Sequence, residues 1–266
     1  MPEDLTGQVA VVTGAGRGFG RAIAQGLAAA GAAVVVTSRT QPELDETVEL
    51  IQKAGGTAAA ITGDVTNKED VIRVRTETER QFGPANIIVH NAGVPWPFGP
   101  VWHVDPDRWW SAQAVHVRGA LLFINTFVPG MIERGGGRFI VITSRASQAV
   151  RPNLSGYAVA KNTQVRLIGH LGAEGAEHGI KAWAVHPGDV FTQLSVDTMS
   201  DPDAQKYIPG FVSRLDDKIK SNEDGTPGLK ACADLCVALA EGRWDGLSGE
   251  YLDPEMDLAA MLQATK

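Results

Sequence analysis

The chain has 266 residues, of which 44% are hydrophobic, so it can bury a large core within one α/β domain. Its formal net charge of −7 and its pI near 5.4 argue against a nucleic-acid partner or an anionic membrane surface. No apolar stretch approaches the ~18 residues of a membrane span, and the two cysteines, Cys232 and Cys236, are predicted to be buried, so we expect a soluble, cytoplasmic protein.

Seven short apolar runs alternate with longer amphipathic stretches. The predicted strands are QVAVV (8–12), AVVVT (33–37), TAAAI (57–61), NIIVH (86–90), RFIVI (138–142), KAWAV (181–185) and GEYLD (249–253). Strands that alternate with helices form a parallel sheet covered by helices on both faces. The sequence therefore predicts a single-domain Rossmann fold over 1–266, with a doubly wound parallel sheet whose ligands bind outside the carboxyl ends of the strands.

A glycine-rich turn, Thr13-Gly14-Ala15-Gly16-Arg17-Gly18-Phe19-Gly20, follows the first strand. Glycines let the backbone turn tightly and approach a pyrophosphate, and the helix that begins near Arg21 supplies donors and a positive dipole end. The spacing is T-G-x-x-x-G-x-G rather than G-x-G-x-x-G. In this position the turn predicts a dinucleotide site.

The second strand ends in Thr37-Ser38-Arg39-Thr40, without the acidic residue that would bind a ribose 2′-hydroxyl and indicate NAD. Arg39, Ser38 and Arg17 can instead hold a 2′-phosphate, because a guanidinium suits phosphate geometry. The alternative is that Arg39 is a solvated residue at a strand end. We predict that NADP(H) is preferred, with NAD(H) as the alternative.

The stretch YAVAK places the Tyr157 phenol and the Lys161 ammonium four residues apart, so the two groups are neighbours on one helix face. A phenol titrates near pH ~10, and an adjacent cation favours its phenolate. The pair therefore predicts a proton donor that works near neutral pH, although any long helix can carry a Tyr and a Lys at this spacing.

Other motifs follow the predicted strands in chain order: GDVTN with Asp64 and Val65, the triplet Asn91-Ala92-Gly93, VITS ending at Ser144, and Pro187-Gly188-Asp189-Val190-Phe191-Thr192. Together with TGAGRGFG and YAVAK they resemble, over nearly the whole chain, the short-chain dehydrogenase/reductase family of the classical type. The resemblance implies an enzyme that interconverts a ketone and a secondary alcohol with a nicotinamide cofactor. Residues 1–135 would mainly hold the cofactor, and 136–266 would carry the catalytic and substrate half.

The resemblance also implies a role for each motif residue. Tyr157 would be the general acid, Lys161 would lower its pKa and hold the nicotinamide ribose, and Ser144 would bind the carbonyl oxygen. The predicted cofactor-binding residues are Thr13, Gly14, Arg17, Gly18, Phe19, Gly20, Ser38, Arg39, Asp64, Val65, Asn91, Ala92, Gly93, Tyr157, Lys161, Pro187, Gly188, Val190 and Thr192.

The chain departs from the family pattern at two positions. His116 stands where the family has the asparagine of its catalytic tetrad, and it is either a proton relay that titrates near pH ~6.5 or a structural core histidine. Arg145 follows Ser144 where a small residue is usual, and it either reaches a substrate anion or points into solvent.

Three segments are expected to line the substrate pocket: the loop with Trp96, the loop with Arg145, and a lid at about 190–225 that includes Phe191 and Met199. The histidines lack metal-ligand spacing, so no metal is expected. The family's helix pairing implies a homotetramer or homodimer that acts on a small carbonyl or alcohol. A cofactor-binding sensor without turnover, and a lyase, epimerase or cyclase built on the same site, are the alternatives.

Overall fold

The structure is a computed structural model that describes residues 4–220 and 225–264. Within them seven parallel strands form one sheet in the order β3-β2-β1-β4-β5-β6-β7. The strands are β1 (Val9–Thr13), β2 (Ala33–Thr37), β3 (Thr57–Ala60), β4 (Ile87–His90), β5 (Gly137–Ile142), β6 (Ile180–Val185) and β7 (Tyr251–Leu252). The predicted single-domain Rossmann fold and its seven strands are confirmed, with strand ends that differ from the sequence expectation by at most two residues.

Helices cover both faces of the sheet. They are α1 (Gly18–Ala29), α2 (Gln41–Lys53), α3 (Lys68–Phe82), α4 (Pro106–Gln113), α5 (Gly119–Glu133), α6 (Ser155–Gly175), α7 (Gln193–Ser200), α8 (Pro202–Tyr207), α9 (Pro209–Lys220), α10 (Thr226–Ala240) and α11 (Leu258–Ala264). The first helix begins at Gly18, inside the glycine turn, rather than near Arg21 as the sequence predicted.

The core is split by the sheet into two apolar layers. On one face Ile23 and Leu27 of α1 pack with Leu235 and Leu239 of α10, and on the other Phe123 and the residues around it pack under α3, α5 and α6. Each fully buried side chain of this size contributes about 1.5–3 kcal/mol relative to its exposed state. Strands buried on both faces explain why the sequence runs are apolar throughout rather than alternating.

The strand order determines where a ligand can bind. β1 pairs with β2 on one side and with β4 on the other, in register Thr13↔Thr37 and Val12↔Val89. The chain therefore winds outward in both directions from the β1–β4 pair, and a crevice forms outside the carboxyl ends of these strands. The glycine turn, the Asn91 triplet and Ser144 all follow strands that end there.

One helical rod runs over Pro106–Glu133, with α4 and α5 joined by a π-helical turn at Ala114–Arg118. Its length and composition would suffice to cross a membrane, with a mean hydropathy of 1.3 over its most apolar window, contrary to the sequence expectation. Ala120, Phe123 and Met131 of this rod are buried against the sheet, as in the core helix of a folded domain. A π-turn in a helix is a frequent marker of a functional site, and this one contains His116.

The predicted lid forms three helices, α7 to α9, and its residues 221–224 lie outside the described residues. It is attached to the body of the protein at α8. Arg108 Nη2 donates to the buried Asp201 carboxylate at 2.8 Å, and Asn153 Nδ2 donates to the Tyr207 carbonyl at 2.9 Å. These contacts fix the middle of the lid and leave α9 as its outer part.

Candidate active site

A cavity of about 1010 Å³ opens at the carboxyl ends of the central strands. Its lining combines the glycine turn, the end of β2, the Asn91 triplet, the Ser144 loop, Tyr157 and Lys161 of α6, the Pro187–Gly188 loop and parts of the lid. The structure therefore brings motifs from both halves of the chain to one site.

The glycine turn has the shape that a pyrophosphate needs. Gly14 and Gly18 adopt φ values of +61° and +54°, a region that favours glycine, and a Cβ on Gly20 would collide with the Gly14 carbonyl. Asn91 Nδ2 donates to the carbonyls of Thr13 and Gly14 at 3.0 and 3.1 Å, which holds the turn against β4. The turn has room for a close backbone approach, so the residues present fit a dinucleotide.

Two of the predicted cofactor residues do not line the cavity. Thr13 Oγ1 lies beneath the turn and accepts from the backbone N–H groups of Asn91 and Ala92, both at 3.0 Å. Gly20 lies in the first turn of α1, where it allows the helix to pack against Gly14. Both residues shape the turn rather than facing a ligand.

The end of the cavity beside β2 contains Ser38, Arg39, Asp64 and Val65. Arg39 is exposed and has no side-chain partner among the described residues. Arg17, in contrast, contacts Glu43 at 3.4 Å. Arg17 also contacts Asp197 of the lid helix α7, at 3.5 Å. Sequence reasoning missed both carboxylates, because neither belongs to a motif.

Tyr157 and Ser144 share a side-chain hydrogen bond at the cavity floor, and this bond works against the burial that raises the pKa of Tyr157 above its ordinary value of 10.0. Lys161 donates from Nζ to the Ile142 carbonyl at 2.7 Å, and its Nζ lies 5.6 Å from the centre of the Tyr157 ring. Burial lowers the pKa of Lys161 to about 7.

The expectation that Lys161 lowers the pKa of Tyr157 stays a prediction. The lysine is directed at a backbone carbonyl, and burial weakens its own charged form. The pair is placed together as predicted, and the hydrogen bond with Ser144 is a contact that favours the phenolate.

His116 is fully buried against Tyr157, with the two ring centres 5.6 Å apart. Its Nε2 lies 3.2 Å from the Val94 nitrogen and 2.9 Å from the Val94 carbonyl. Burial, reinforced by Lys161, lowers the pKa of His116 well below 6.5, so the ring is neutral at physiological pH. The backbone carbonyl of His116 accepts a hydrogen bond from Gln164 Nε2 at 2.8 Å. A neutral ring anchored to Val94 favours the structural interpretation over a titrating relay.

Arg145 neither points into solvent nor has a free guanidinium for a substrate. Its Nη2 contacts Asp253 at 2.9 Å and Glu255 at 2.6 Å, and its Nη1 lies 3.6 Å from Asp189. Its backbone N–H donates to His186 Nδ1 at 3.3 Å. The acidic stretch after β7 could have been expected here, because β7 adjoins β6 and the carboxyl ends of neighbouring parallel strands meet.

The substrate wall differs from the sequence expectation. Trp96, Phe191 and Met199 do not line the cavity. The Trp96 ring lies under the Arg108 guanidinium at 5.4 Å, and Met199 lies in the last turn of α7, where its carbonyl accepts from Gln205. The apolar wall is formed by residues of the predicted loop, of the loop before α6 and of the lid, which are Val94, Pro95, Phe98, Leu154, Leu194, Tyr207, Ile208, Phe211 and Leu215.

The remaining loop residues Pro187, Gly188, Val190 and Thr192 line the cavity beside Tyr157. Thr192 caps α7 in a capping box with Ser195 and thereby fixes the start of the lid. Among residues 4–220 and 225–264, no His, Cys, Asp and Glu side chains group together in a way that could hold a metal ion.

Comparisons with known proteins agree with this geometry. The family model of short chain dehydrogenases matches residues 8–203. A short chain dehydrogenase of Pseudocercospora fijiensis is 30% identical over 264 residues, which cover 97% of this chain and 84% of the relative.

The chain is also similar to solved structures of dehydrogenases over almost its whole length. A gluconate 5-dehydrogenase of Burkholderia cenocepacia in complex with NADP and tartrate is 27% identical, with a TM-score of 0.78 and 96% of each chain covered. A Beutenbergia cavernae protein whose structure holds NADP at low occupancy is 29% identical, with a TM-score of 0.81, 98% of this chain and 100% of that chain covered. The chain therefore belongs to the classical short-chain dehydrogenase/reductase family of nicotinamide-dependent oxidoreductases.

Proposed function

We propose that this protein interconverts a ketone and a secondary alcohol by hydride transfer, with NADP(H) as its preferred cofactor and Tyr157 as general acid and base. The observation that carries the proposal is the position of Ser144, Tyr157 and Lys161 at the floor of the cavity whose other end is the glycine turn.

A bound nicotinamide supplies or accepts the hydride. In the reductive direction Ser144 donates a hydrogen bond to the carbonyl oxygen, and the Tyr157 hydroxyl gives that oxygen its proton as the alkoxide develops. The buried Lys161, which has a pKa of about 7, is placed to bind the nicotinamide ribose hydroxyls and to favour the phenolate that is left. The apolar wall excludes water from the reacting carbon.

The test compares the replacement of a tyrosine in the cavity with the replacement of a tyrosine outside it. Tyr157→Phe should lower kcat by about a thousandfold or more, because it removes the proton donor while preserving the ring. Tyr251→Phe is the matched control, since Tyr251 does not line the cavity and its hydroxyl has no hydrogen-bond partner among the described residues. Full reductase activity in Tyr157→Phe would sink the assignment. Cofactor binding without turnover of any ketone would favour a sensor or a non-redox enzyme.

The preference for NADP(H) rests on Ser38 and Arg39, which line the adenosine end of the cavity, with Arg39 free of any carboxylate partner among the described residues. NADP in two related structures supports it. Arg39→Ala should raise the NADPH dissociation constant about tenfold and change that of NADH by less than about twofold, measured by fluorescence titration. Equal changes for the two cofactors would contradict the assignment.

We also propose a cytoplasmic homotetramer or homodimer that pairs through the rod Pro106–Glu133 and α6. Trp110 (66% exposed), Leu121 (44%) and Val159 (45%) give these helices an apolar outer surface, and both cysteines are free thiols. Leu121→Glu should shift the mass measured by light scattering to that of a smaller species, because a charge would be buried in the interface. An unchanged mass would place the interface elsewhere.

A further inference from the structure

We propose that the substrate of this site has an apolar body with a carboxylate at the end remote from its carbonyl, and that Arg151 and Arg214 bind this carboxylate. The inference rests on the proposed oxidoreductase function and specifies the substrate class of that site.

The arginines that line the cavity fall into two groups. Arg17 and Arg145 are in contact with carboxylates. Arg39, Arg151 and Arg214 line the cavity with exposed side chains and have no carboxylate partner among the described residues. Arg39 lies at the adenosine end, where the cofactor phosphate accounts for it. Arg151 and Arg214, at the substrate end, are left without an anion in a chain whose formal net charge is −7.

Arg151 belongs to the loop between β5 and α6, between Ser144 and Tyr157 in the chain. The loop is fixed at Asn153, which has a φ of +65° and donates to the carbonyl of Tyr207 in α8 at 2.9 Å. The Leu154 backbone N–H donates to the Arg151 carbonyl at 3.2 Å, which orients the loop. Arg151 is therefore held where the body of the protein meets the lid.

Arg214 approaches the same cavity from the lid helix α9. Its guanidinium lies over the Phe211 ring, 5.7 Å from the ring centre. Stacking on an aromatic face leaves the edge of the guanidinium, with its N–H groups, free to bind a carboxylate. The two arginines thus lie on different elements that both line the cavity.

The surface beside these cations is apolar. Phe98 and Leu215 are buried in the cavity wall, and Leu154, Ile208 and Phe211 complete it. Ser144 and Tyr157 bind the reacting oxygen at the floor, so the substrate needs an apolar segment to reach from there to the arginines. A ketone with a hydrocarbon or aryl segment and a terminal carboxylate matches all three surfaces.

The experiment compares benzoylbutyrate with its methyl ester, which have the same ketone and hydrocarbon chain and differ at the remote end, where methylation removes the charge. The ratio of kcat/KM for acid over ester is measured by NADPH oxidation in the wild type and in Arg151→Ala, Arg214→Ala and their lysine variants. We expect the wild type to prefer the acid by about tenfold or more, and each alanine variant to lose about tenfold on the acid, mainly in KM. The ester should be unaffected, and the acid preference should weaken with added salt.

Arg80→Ala is the matched control, because Arg80 is exposed on α3 and does not line the cavity. The lysine variants should recover part of the acid preference, which a merely structural role would not do. An equal kcat/KM for acid and ester in the wild type would overturn the proposal. So would an equal loss on both probes, or a weaker NADPH affinity in Arg151→Ala, which would assign Arg151 to the cofactor.

Binding of both probes to the NADPH-loaded protein, followed by tryptophan fluorescence, separates this proposal from the proposed function. Tighter binding of the acid that is lost in both alanine variants supports the arginine site even when neither probe is reduced. No difference in binding between acid and ester overturns it. Absence of turnover for every ketone in the presence of NADPH would instead count against the oxidoreductase function alone.

Discussion

Lys161 is the buried cation of the site, with 4% of its surface exposed and its Nζ donating to the Ile142 carbonyl. Burial lowers its pKa from 10.5 to about 7, so the site contains a lysine whose charge changes near physiological pH. Sequence reasoning placed it beside Tyr157 correctly, since four-residue spacing is a local property of a helix. The direction of the Lys161 pKa shift depends on burial in the folded protein, and a local sequence pattern does not reveal that burial.

The Lys161 pKa gives a pH-dependent stability with a definite sign. The native state releases the lysine proton near pH 7 and the unfolded chain near 10.5, so between these values the unfolded state binds more protons. The free energy of unfolding of the wild type, relative to Lys161→Met, should rise with pH across this window by up to about 1.4 kcal/mol per unit. Urea unfolding without cofactor measures this difference, and Lys53→Met at an exposed lysine is the control. A flat difference would mean that Lys161 stays charged in the native protein.

His116 allows a second test at the same scale. Its side chain is neutral and contacts Val94. Its backbone carbonyl accepts a hydrogen bond from Gln164, which lies in the same helix as Lys161. His116→Asn keeps that carbonyl, so kcat/KM should change by less than about fivefold and the pH–rate profile should keep its shape. A displaced limb in the profile would show that the imidazole itself carries a proton. Gln164→Leu, which removes the carbonyl's donor, serves as the comparison.

Among the elements, the loops after β5, β6 and β7 are joined by one arginine. Arg145 connects the residue next to Ser144 with Asp189 of the second loop and with Asp253 and Glu255 of the third. The sequence placed Ser144, Arg145 and Asp189 at strand ends because apolar runs locate the strands. It did not reveal the connection, because Asp253 follows a two-residue strand whose neighbour in the sheet is decided by topology.

Sequence patterns also fail to reveal which residues form the substrate wall. Trp96 was predicted to face the cavity because aromatic loop residues often do, but the Arg108 guanidinium lies over its ring instead. Which side of a loop faces the cavity depends on long-range contacts, here the ion pair from Arg108 to Asp201, 93 residues apart in the chain. Motif positions set by the backbone were predictable, whereas side-chain directions in loops were not.

Arg145 should stabilise the fold through its buried partner. The Asp253 side chain is 6% exposed and the Glu255 side chain 78% exposed, so only Asp253 depends on the ion pair for solvation. Arg145→Ala should lower the free energy of unfolding by about 1–3 kcal/mol, and Glu255→Gln by under about 0.5 kcal/mol. Denaturant unfolding at pH 7 measures both. Equal effects would show that the exposed pair contributes as much as the buried one, and that the network is a surface feature.

On the scale of the whole molecule, the lid and the glycine turn meet over the cavity although they are 180 residues apart in the chain. Arg17 of the glycine turn contacts Asp197 of the lid helix α7, and it also contacts Glu43 of α2. With NADP(H) as the proposed cofactor, both carboxylates compete with its 2′-phosphate for the Arg17 guanidinium.

Removing this competition should tighten NADPH selectively. In Glu43→Gln the carboxylate no longer holds Arg17 or repels a phosphate, so the NADPH dissociation constant should fall about three- to tenfold while that of NADH changes by less than about twofold. Asp197→Asn should act in the same direction but less, because its contact is longer and its side chain is more exposed, 44% against 34%. Glu49→Gln, at an exposed position in the same helix, is the control. Equal tightening of both cofactors would place Arg17 at the pyrophosphate instead, and added salt would then weaken NADH and NADPH alike.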